Sequence, residues 1–384
     1  MQKFVVALLA SIVLLGFSDF AQASPEYTAI DLGTLGGVTS QGAASFGFGI
    51  NNAGQIAGTS VLSDNTTNRA FLYSGGSLQD LGTLGGSTSS GFGINNTGDV
   101  VGQADTASGD RHAFFFSGGT MHDLGTLGGS NSSAVGINDS GEIVGSSTTS
   151  GKTNSHAFLY SSGAMHDLGT LGGKSSSAFG INDAGQVVGL ADTTGGQSHA
   201  FLYSGGSMQD LGTLGGTKSL AFAINNSGAI VGGSQTATGG FDAFLYSGGS
   251  MHDLGTLNGD EAVATGINSS GEIAGTLFLS GSTITGKLTG IPVGAFLYVS
   301  GTMYNLNSLL VGSHIDFIAA FGINDKGQIA ADGRLANGQI RGFLLNPFAP
   351  HVPDAGSAVL LLGIALIALV RLHKICAALE RKAR

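Results

Sequence analysis

The chain has 384 residues, of which 67 are glycine and 10% are charged, against about 25% charged residues in an ordinary soluble domain. Its 42% of hydrophobic residues excludes a disordered chain, which is poor in apolar residues and strongly charged. Residues 24–350 carry nine basic and 22 acidic residues, a net charge of −13, and this acidity argues against nucleic acid as a partner.

The N-terminal segment is typical of an export signal. Lys3 precedes a short apolar run, and the small residues Ala21 and Ala23 occupy the two positions that a signal peptidase reads. We therefore predict a signal peptide over residues 1–23, cleaved before Ser24. A retained membrane anchor is the alternative, but the apolar run is short for a membrane span.

The C-terminal segment, residues 351–384, is predicted to be a second sorting element that attaches the chain to a membrane. Its apolar run, Ala355–Val370, falls just short of the about 17 to 25 residues of a full span. Basic residues follow from Arg371 onward, which favours a cytoplasmic location for that end. Residues 24–350 then lie outside the inner membrane. The only cysteine is Cys376, so the central region contains no disulfide.

A heptapeptide, DLGTLGG, recurs along the central region. The intervals between successive copies are 49, 43, 44, 43 and 43 residues. Periods in this range are typical of propellers, solenoids and other repeat arrays. The copies begin at Asp31, Asp80, Asp123, Asp167 and Asp210, and a variant, DLGTLNG, begins at Asp253.

One complete unit, Gly136–Gly173, contains four short apolar runs separated by turn residues. The tight turn Asn138–Gly141 consists of residue types that tolerate left-handed backbone. Because the runs are too short for helices and have β-branched or aromatic centres, each unit is predicted to form four antiparallel strands. The run Ala157–Tyr160 is apolar without alternation, which indicates a strand buried on both faces.

The two ends of the repeat region complement each other. The last unit ends at Gly342–Leu345 without a DLG strand, whereas a spare strand, Tyr27–Leu32, precedes the first unit. We therefore predict an all-β fold, a seven-bladed β-propeller of four-stranded blades, whose ring the N-terminal strand closes by completing the last blade. A linear β-solenoid is the alternative, but it would need capping repeats and leaves the spare strand unexplained.

The order of the strands within a blade predicts their radial positions. The segment before each GIN turn, Ser132–Gly136 in one unit, is predicted to be the innermost strand, because its small residues suit the crowded centre of a ring. The DLG strand is then outermost.

The repeated HAFLYSGG and DLGTLGG, with GIN-x-x-G-x-I-V-G between them, resemble the HAF family of extracellular repeats over residues 27–346. This resemblance implies an exported bacterial protein and no particular activity. The C-terminal segment resembles the PEP-CTERM type of sorting signal in its VPDSG variant, with Ala in place of Ser and a longer basic end. It implies an exosortase-type processing enzyme as a partner. The motif consists of Val352, Pro353, Asp354, Ala355 and Gly356.

Three groups of repeated polar residues could in principle carry chemistry. The DLG aspartates are interpreted as turn residues that bind backbone. The Asn-Asp-x-Gly turns faintly resemble calcium loops but lack the alternating oxygen ligands. Histidines His112 and His156 begin AFLY strands, and His122 and His166 precede DLG aspartates, so such pairs could approach each other, yet zinc needs three or four ligands. We predict no cofactor, no metal and no catalytic residue.

Two functions remain open at this point. The first is an exported, non-catalytic surface or periplasmic binding or scaffold module for an extracellular glycan or protein. Its variable contact surface would be the Ser-, Thr- and Gly-rich loops before the AFLY strands. The alternative is an exported polysaccharide-acting hydrolase or lyase with a site at the propeller mouth. That activity would need acidic or histidine side chains converging from unlike copies of the repeat.

Overall fold

The structure is a computed structural model, and it describes residues 25–37, 45–151, 154–279, 291–312 and 314–348. The predicted cleavage residues Ala21, Ala23 and Ser24 and the sorting motif Val352–Gly356 lie outside these described residues. Contacts divide the chain into the unit Tyr27–Pro347 and a second unit made of Met1–Glu26 and Phe348–Arg384. The fold below is that of the first unit.

The described part of the chain is almost entirely strand, with one short 3-10 helix at Leu306–Leu309. No helix in these ranges is long and apolar enough to cross a membrane. The strands are β1 (Tyr27–Asp31), β2 (Ser45–Ile50), β3 (Ile56–Val61), β4 (Asn68–Ser74), β5 (Ser77–Asp80), β6 (Gly85–Ile94), β7 (Val100–Thr106), β8 (Arg111–Ser117), β9 (Thr120–Asp123), β10 (Gly128–Ile137), β11 (Ile143–Thr149), β12 (Ser155–Ser161), β13 (Ala164–Asp167), β14 (Gly172–Ile181), β15 (Val187–Thr193), β16 (Ser198–Ser204), β17 (Ser207–Asp210), β18 (Gly215–Ile224), β19 (Ile230–Thr236), β20 (Phe241–Ser247), β21 (Ser250–Gly255), β22 (Glu261–Ile267), β23 (Ile273–Phe278), β24 (Pro292–Val299), β25 (Thr302–Asn305), β26 (Asp316–Ile323), β27 (Ile329–Arg334) and β28 (Ile340–Pro347).

The strands form a β-propeller arrangement of antiparallel sheets, which confirms the predicted all-β class. Four sheets of four strands follow chain order, β2–β5, β14–β17, β18–β21 and β22–β25, and a fifth has the order β1-β28-β27-β26. The prediction of seven separate four-stranded sheets is wrong in one respect. Strands β6–β13 form a single eight-stranded sheet, because a parallel bridge joins Asn131 of β10 to Arg111 of β8.

The N-terminal strand closes the ring as predicted. Strand β1 pairs antiparallel with β28, from Tyr27 opposite Pro347 to Asp31 opposite Phe343. Tyr27 is 2% exposed, and its hydroxyl donates a hydrogen bond to the Gly327 carbonyl oxygen at 3.2 Å. The two ends of the repeat region are therefore fastened by backbone pairing and by one buried aromatic side chain.

The AFLY strands are buried on both faces, as their continuous apolar pattern predicted. In β12, Ala157 and Phe158 are fully buried, and Phe158 lies opposite Gly145 of β11. A Cβ at Gly145 would come within 1.9 Å of the Ser133 carbonyl oxygen, so only glycine fits this close approach. Burying each such phenylalanine contributes about 2 to 3 kcal/mol. The equivalent buried residues are Phe71, Phe114, Phe158, Phe201, Phe244, Phe296 and Phe343.

Removal of β1 is expected to open the ring. A variant that lacks residues 25–34 leaves the outer edge of β28 unpaired and removes the buried Tyr27. We expect it to lose at least about 3 kcal/mol of unfolding free energy and to associate through the bare edge. Denaturant unfolding and size-exclusion chromatography measure the two effects.

Adding back the missing strand provides the control for this deletion. A synthetic peptide of residues 25–34 should raise the melting temperature of the deletion variant in a concentration-dependent way. The same peptide with Thr28 and Ile30 replaced by proline cannot donate to the ladder and should have no effect. Equal rescue by both peptides would contradict closure by strand pairing.

Candidate functional site

Seven asparagines form a closed hydrogen-bonded ring at the ends of the innermost strands. Each follows the last isoleucine of its strand, and its Nδ2 donates to the backbone oxygen of the next asparagine at 2.8 to 3.4 Å. The last link runs from Asn324 back to Asn51 at 2.8 Å. Every member is at most 8% exposed. The ring consists of Asn51, Asn95, Asn138, Asn182, Asn225, Asn268 and Asn324.

The same asparagines stabilise the turns that follow them. Asn182 Oδ1 accepts hydrogen bonds from the backbone N–H of Ala184 at 3.2 Å and of Gln186 at 3.0 Å. The oxygen that a calcium loop would turn toward an ion is therefore occupied by the turn itself. This geometry confirms the interpretation of the Asn-Asp-x-Gly segments as turns. Among the described residues, no three His, Cys, Asp or Glu side chains form a group that could hold a metal ion.

A second, more exposed ring of polar residues lies one position further along the chain. We call it the collar. The backbone N–H of Asp139 donates to Asp183 Oδ1 at 3.0 Å, and that of Asp183 donates to Asn226 Oδ1 at 3.0 Å. A hydrogen bond from the Ser269 backbone lowers the pKa of Asp325 below its ordinary value. The collar consists of Asn52, Asn96, Asp139, Asp183, Asn226, Ser269 and Asp325.

Behind the collar lies an apolar chamber of about 430 Å³. A ring of isoleucines borders both the chamber and a polar cavity of about 240 Å³ at the collar. Ring contacts of 5.1 to 5.5 Å join Phe48 to Phe92 and Phe321, and Phe179 stacks on Phe222 at 5.1 Å. The prediction of small residues at the centre is therefore wrong at this position, which lies three residues before each ring asparagine. The side chains there are Phe48, Phe92, Val135, Phe179, Phe222, Thr265 and Phe321.

The DLG aspartates have the structural role that their repetition predicted. Asp167 Oδ1 accepts the backbone N–H of Gly169 at 2.8 Å, and Gly169 has φ +76°. The same aspartate contacts His156, with Nδ1 2.8 Å from Oδ2. Equivalent pairs of an arginine or histidine with an aspartate join the third and outermost strands elsewhere in the ring. They are Arg341–Asp31, Arg69–Asp80, His112–Asp123 and His199–Asp210.

The two histidine positions of a unit are not brought together. In the β8–β9 ladder, Phe114 pairs with Asp123 and Phe115 pairs with His122. Because side chains alternate between faces, His112 shares a face with Phe114 and Asp123, whereas His122 lies on the other face. The pairing of histidines that the sequence left open is therefore wrong, and each AFLY histidine binds a carboxylate instead.

One outer pair breaks the pattern. Asp242 is the second residue of the fifth AFLY strand, at a position where five other units have arginine or histidine, and it faces Asp253. Burial, followed by the charge and hydrogen bonding of Asp253, raises the pKa of Asp242. Two carboxylates thus meet where the other pairs join a carboxylate to an arginine or a histidine, which is a local source of instability at neutral pH.

No family model and no curated protein matches the chain, but solved structures do. The acylaminoacyl peptidase of Pyrococcus horikoshii aligns with a TM-score of 0.51 and 11% identity, over 82% of this chain and 52% of that one. A puromycin-hydrolyzing peptidase of Mycobacterium tuberculosis aligns with a TM-score of 0.50 and 10% identity, over 86% of this chain and 57% of that one.

A gluconolactonase from Xanthomonas campestris has a TM-score of 0.39 and 10% identity, over 86% of this chain and 93% of that one. The chain spans about half the length of the two peptidases. At these identities the similarity to the peptidases shows a shared propeller fold alone, and their activities are not thereby transferred.

Replacing one ring asparagine is expected to be costly. Asn182→Ala leaves two turn N–H groups and the Asn225 carbonyl oxygen without their buried partner, so we expect a loss of about 3 kcal/mol in unfolding free energy. Denaturant titration measures it. Asn337→Ala is the matched control, because Asn337 makes a similar turn bond to the Gln339 backbone but is exposed. Similar losses in both variants would contradict the role of the ring.

Restoring the repeat pattern at position 242 is expected to stabilise the protein. Because the folded-state pKa of Asp242 is raised, its contribution to stability is full below about pH 4 and is lost as the pH rises through that pKa. Asp242→Asn should remove this decline. Asp242→His should add a pair with Asp253 worth about 0.5 to 1 kcal/mol near pH 5.5.

Thermal and denaturant unfolding of the three proteins between pH 4 and pH 8 measures these effects. An Asp242→His variant that is less stable than Asp242→Asn at pH 5.5 would contradict the pairing.

Proposed function

We propose that this chain is an exported, non-catalytic binding or scaffold module that acts at the cell surface or in the periplasm. One observation carries the proposal. Five arginine or histidine side chains near the starts of AFLY strands, which are natural candidates for catalysis, are bound to DLG aspartates, and these aspartates also accept backbone N–H groups. Asp123, for example, accepts the Gly125 N–H at 2.7 Å and lies 2.9 Å from His112 Nδ1. Groups held in this way stiffen the ring and are not arranged to move protons at a substrate.

The scaffold consists of seven equivalent units. The closed ring of seven asparagines supports this number. Strands β6–β9 and β10–β13 each repeat the order of the other units, and among the described residues the only strand bridge between them is the pair Asn131–Arg111. The eight-stranded sheet therefore counts as two blades that share one bridge.

The contact surface is formed by the loops before the AFLY strands. Four of these loops expose four successive residues each, at positions 63–66, 107–110, 194–197 and 237–240. Their sequences, SDNT, ASGD, TGGQ and ATGG, differ between units, whereas the strands that carry them share an apolar pattern and a buried Ala-Phe pair. Variable loops on a rigid frame suit recognition of an extracellular glycan or protein.

Export and display are proposed from the two ends of the sequence. Signal peptidase would release the chain at Ser24. An exosortase-type enzyme would recognise Val352–Gly356 while the apolar segment that follows anchors the chain in the membrane. Release at Ser24 leaves β1 three residues from the new N-terminus, ready to close the ring after translocation.

The test starts from protein isolated from membrane and released fractions of its native host. Intact mass should show an N-terminus at Ser24 and a C-terminus near Val352. The same preparation is then incubated with the purified exopolysaccharide of that host. We expect sedimentation with the polysaccharide, no new reducing ends and no unsaturated products. A variant with residues 107–110 replaced by Ala-Thr-Gly-Gly should have a changed affinity for the polysaccharide and an unchanged free energy of unfolding.

Each alternative has its own result. New reducing ends would make the chain a hydrolase, and unsaturated ends would make it a lyase; either overturns the non-catalytic proposal. A membrane-bound protein that retains Arg384 would overturn processing at the C-terminus and leave an anchored module. If the folded protein does not sediment with the polysaccharide, the ligand is not that polysaccharide. Binding to an array of host surface proteins is then measured as the second assay.

A further inference from the structure

The chamber at the centre of the ring has the size and lining of a ligand site. Its volume of about 430 Å³ falls within the about 300 to 1,000 Å³ typical of small-molecule pockets. Five phenylalanines line it, Phe48, Phe92, Phe179, Phe222 and Phe321, and each is only partly buried. Large aromatic side chains at the centre of a rigid ring leave π surface available to a guest.

The ionisable groups that line the mouth are acidic, and one basic residue, Lys326, follows Asp325 in its turn. Among the described residues that line the chamber and the collar, they are Asp139, Asp183 and Asp325. Two glutamates lie directly behind the ring, where Glu142 accepts from Asn138 Nδ2 at 2.8 Å and Glu272 accepts from Asn268 Nδ2 at 2.7 Å. A positive charge at the mouth would be attracted by all of these carboxylates, and a negative charge would be repelled.

The combination selects one class of guest. Aromatic faces attract organic cations through their quadrupole, and quaternary ammonium ions are the ions that aromatic cages bind best. A purely apolar guest would leave the acidic collar unused, and an anion would meet repulsion from it. An inorganic cation would find phenylalanine rings in the chamber and no set of oxygen ligands.

We propose that the chamber binds a small, free organic cation, an aryl or alkyl ammonium ion whose apolar body lies among the phenylalanines and whose charge faces the collar aspartates. This site is separate from the loops of the proposed function. Cleavage of a polysaccharide by the protein would overturn the proposed function and leave the cation site unaffected. Failure to bind the cation would overturn the cation site and leave the proposed function unaffected.

The test measures binding of three probes to the mature protein by isothermal titration at low salt. The probes are benzyltrimethylammonium, 3-phenyl-1-propanol and 3-phenylpropionate, which are cationic, neutral and anionic. We expect the cation to bind with a Kd below about 1 mM and at least about tenfold more tightly than the anion. Added salt should weaken the binding of the cation more than that of the alcohol.

Two variants separate the chamber from the collar. Phe92→Leu keeps an apolar side chain but removes an aromatic ring. It should lower the affinity for the cation at least about fivefold and the affinity for the alcohol by less. Asp139→Asn combined with Asp183→Asn should weaken only the cation, at least about threefold. Asparagine already stands at the collar positions 52, 96 and 226, so the double variant should fold. Asp316→Asn is the control and should change nothing, because Asp316 is exposed and begins β26 at the end away from the collar.

Several results would overturn the proposal. They are equal affinity for cation and anion, no binding of the cation up to about 5 mM, or cation binding that neither variant weakens. Sedimentation with phosphatidylcholine vesicles, blocked by benzyltrimethylammonium, would also overturn it, because the ligand would then be a lipid headgroup and not a free ion.

Discussion

The side-chain amide of each ring asparagine is the constraint on which the arrangement depends. At Asn182 the amide oxygen accepts two backbone N–H groups of its own turn, and the amide nitrogen donates to the backbone of the next unit. Only a side chain with both an acceptor and a donor can make both contacts. Aspartate would lack the donor, and serine is too short to reach. The turn that shapes one unit is thus also the link that orients the next.

The outer side of the ring uses a different chemistry for the same purpose. There the DLG aspartate accepts a glycine N–H and pairs with a histidine or arginine on the neighbouring strand, as Asp167 does with Gly169 and His156. The division follows burial. The inner positions are at most 8% exposed, where an unpaired charge would be costly and a neutral amide is not. The outer carboxylates keep contact with water, so a charge is tolerated there and an error such as Asp242 beside Asp253 costs little.

Much of this fold follows from the sequence, because strand patterns and turn residues act locally. The strand Tyr27–Asp31 precedes the first unit, and the last unit lacks a DLG strand. Counting the strands is therefore enough to predict that the two ends pair and close the ring. The hydrogen bond from the Nδ2 of each ring asparagine to the next unit could not be predicted. Its acceptor lies 43 to 56 residues further along the chain in most of the ring. The pairing of His112 with Asp123 depends on register, and a one-residue slip would have turned it to the other face. Likewise, the bridge at Asn131 is a single contact that leaves no periodic signal.

The size of the central chamber depends on residues that differ between the repeated units. Glycine at the neighbouring position lets innermost strands approach closely, since a Cβ at Gly93 would come within 2.5 Å of the Val135 carbonyl oxygen. That approach directs five phenylalanines into a small central volume. The signal for it in the sequence was Phe-Gly-Ile before four of the seven asparagines and Phe-Ala-Ile before a fifth. Val135 and Thr265 stand where the other units have phenylalanine. The space at the centre is therefore set in part by these two units, whose side chains are smaller than the phenylalanines of the others.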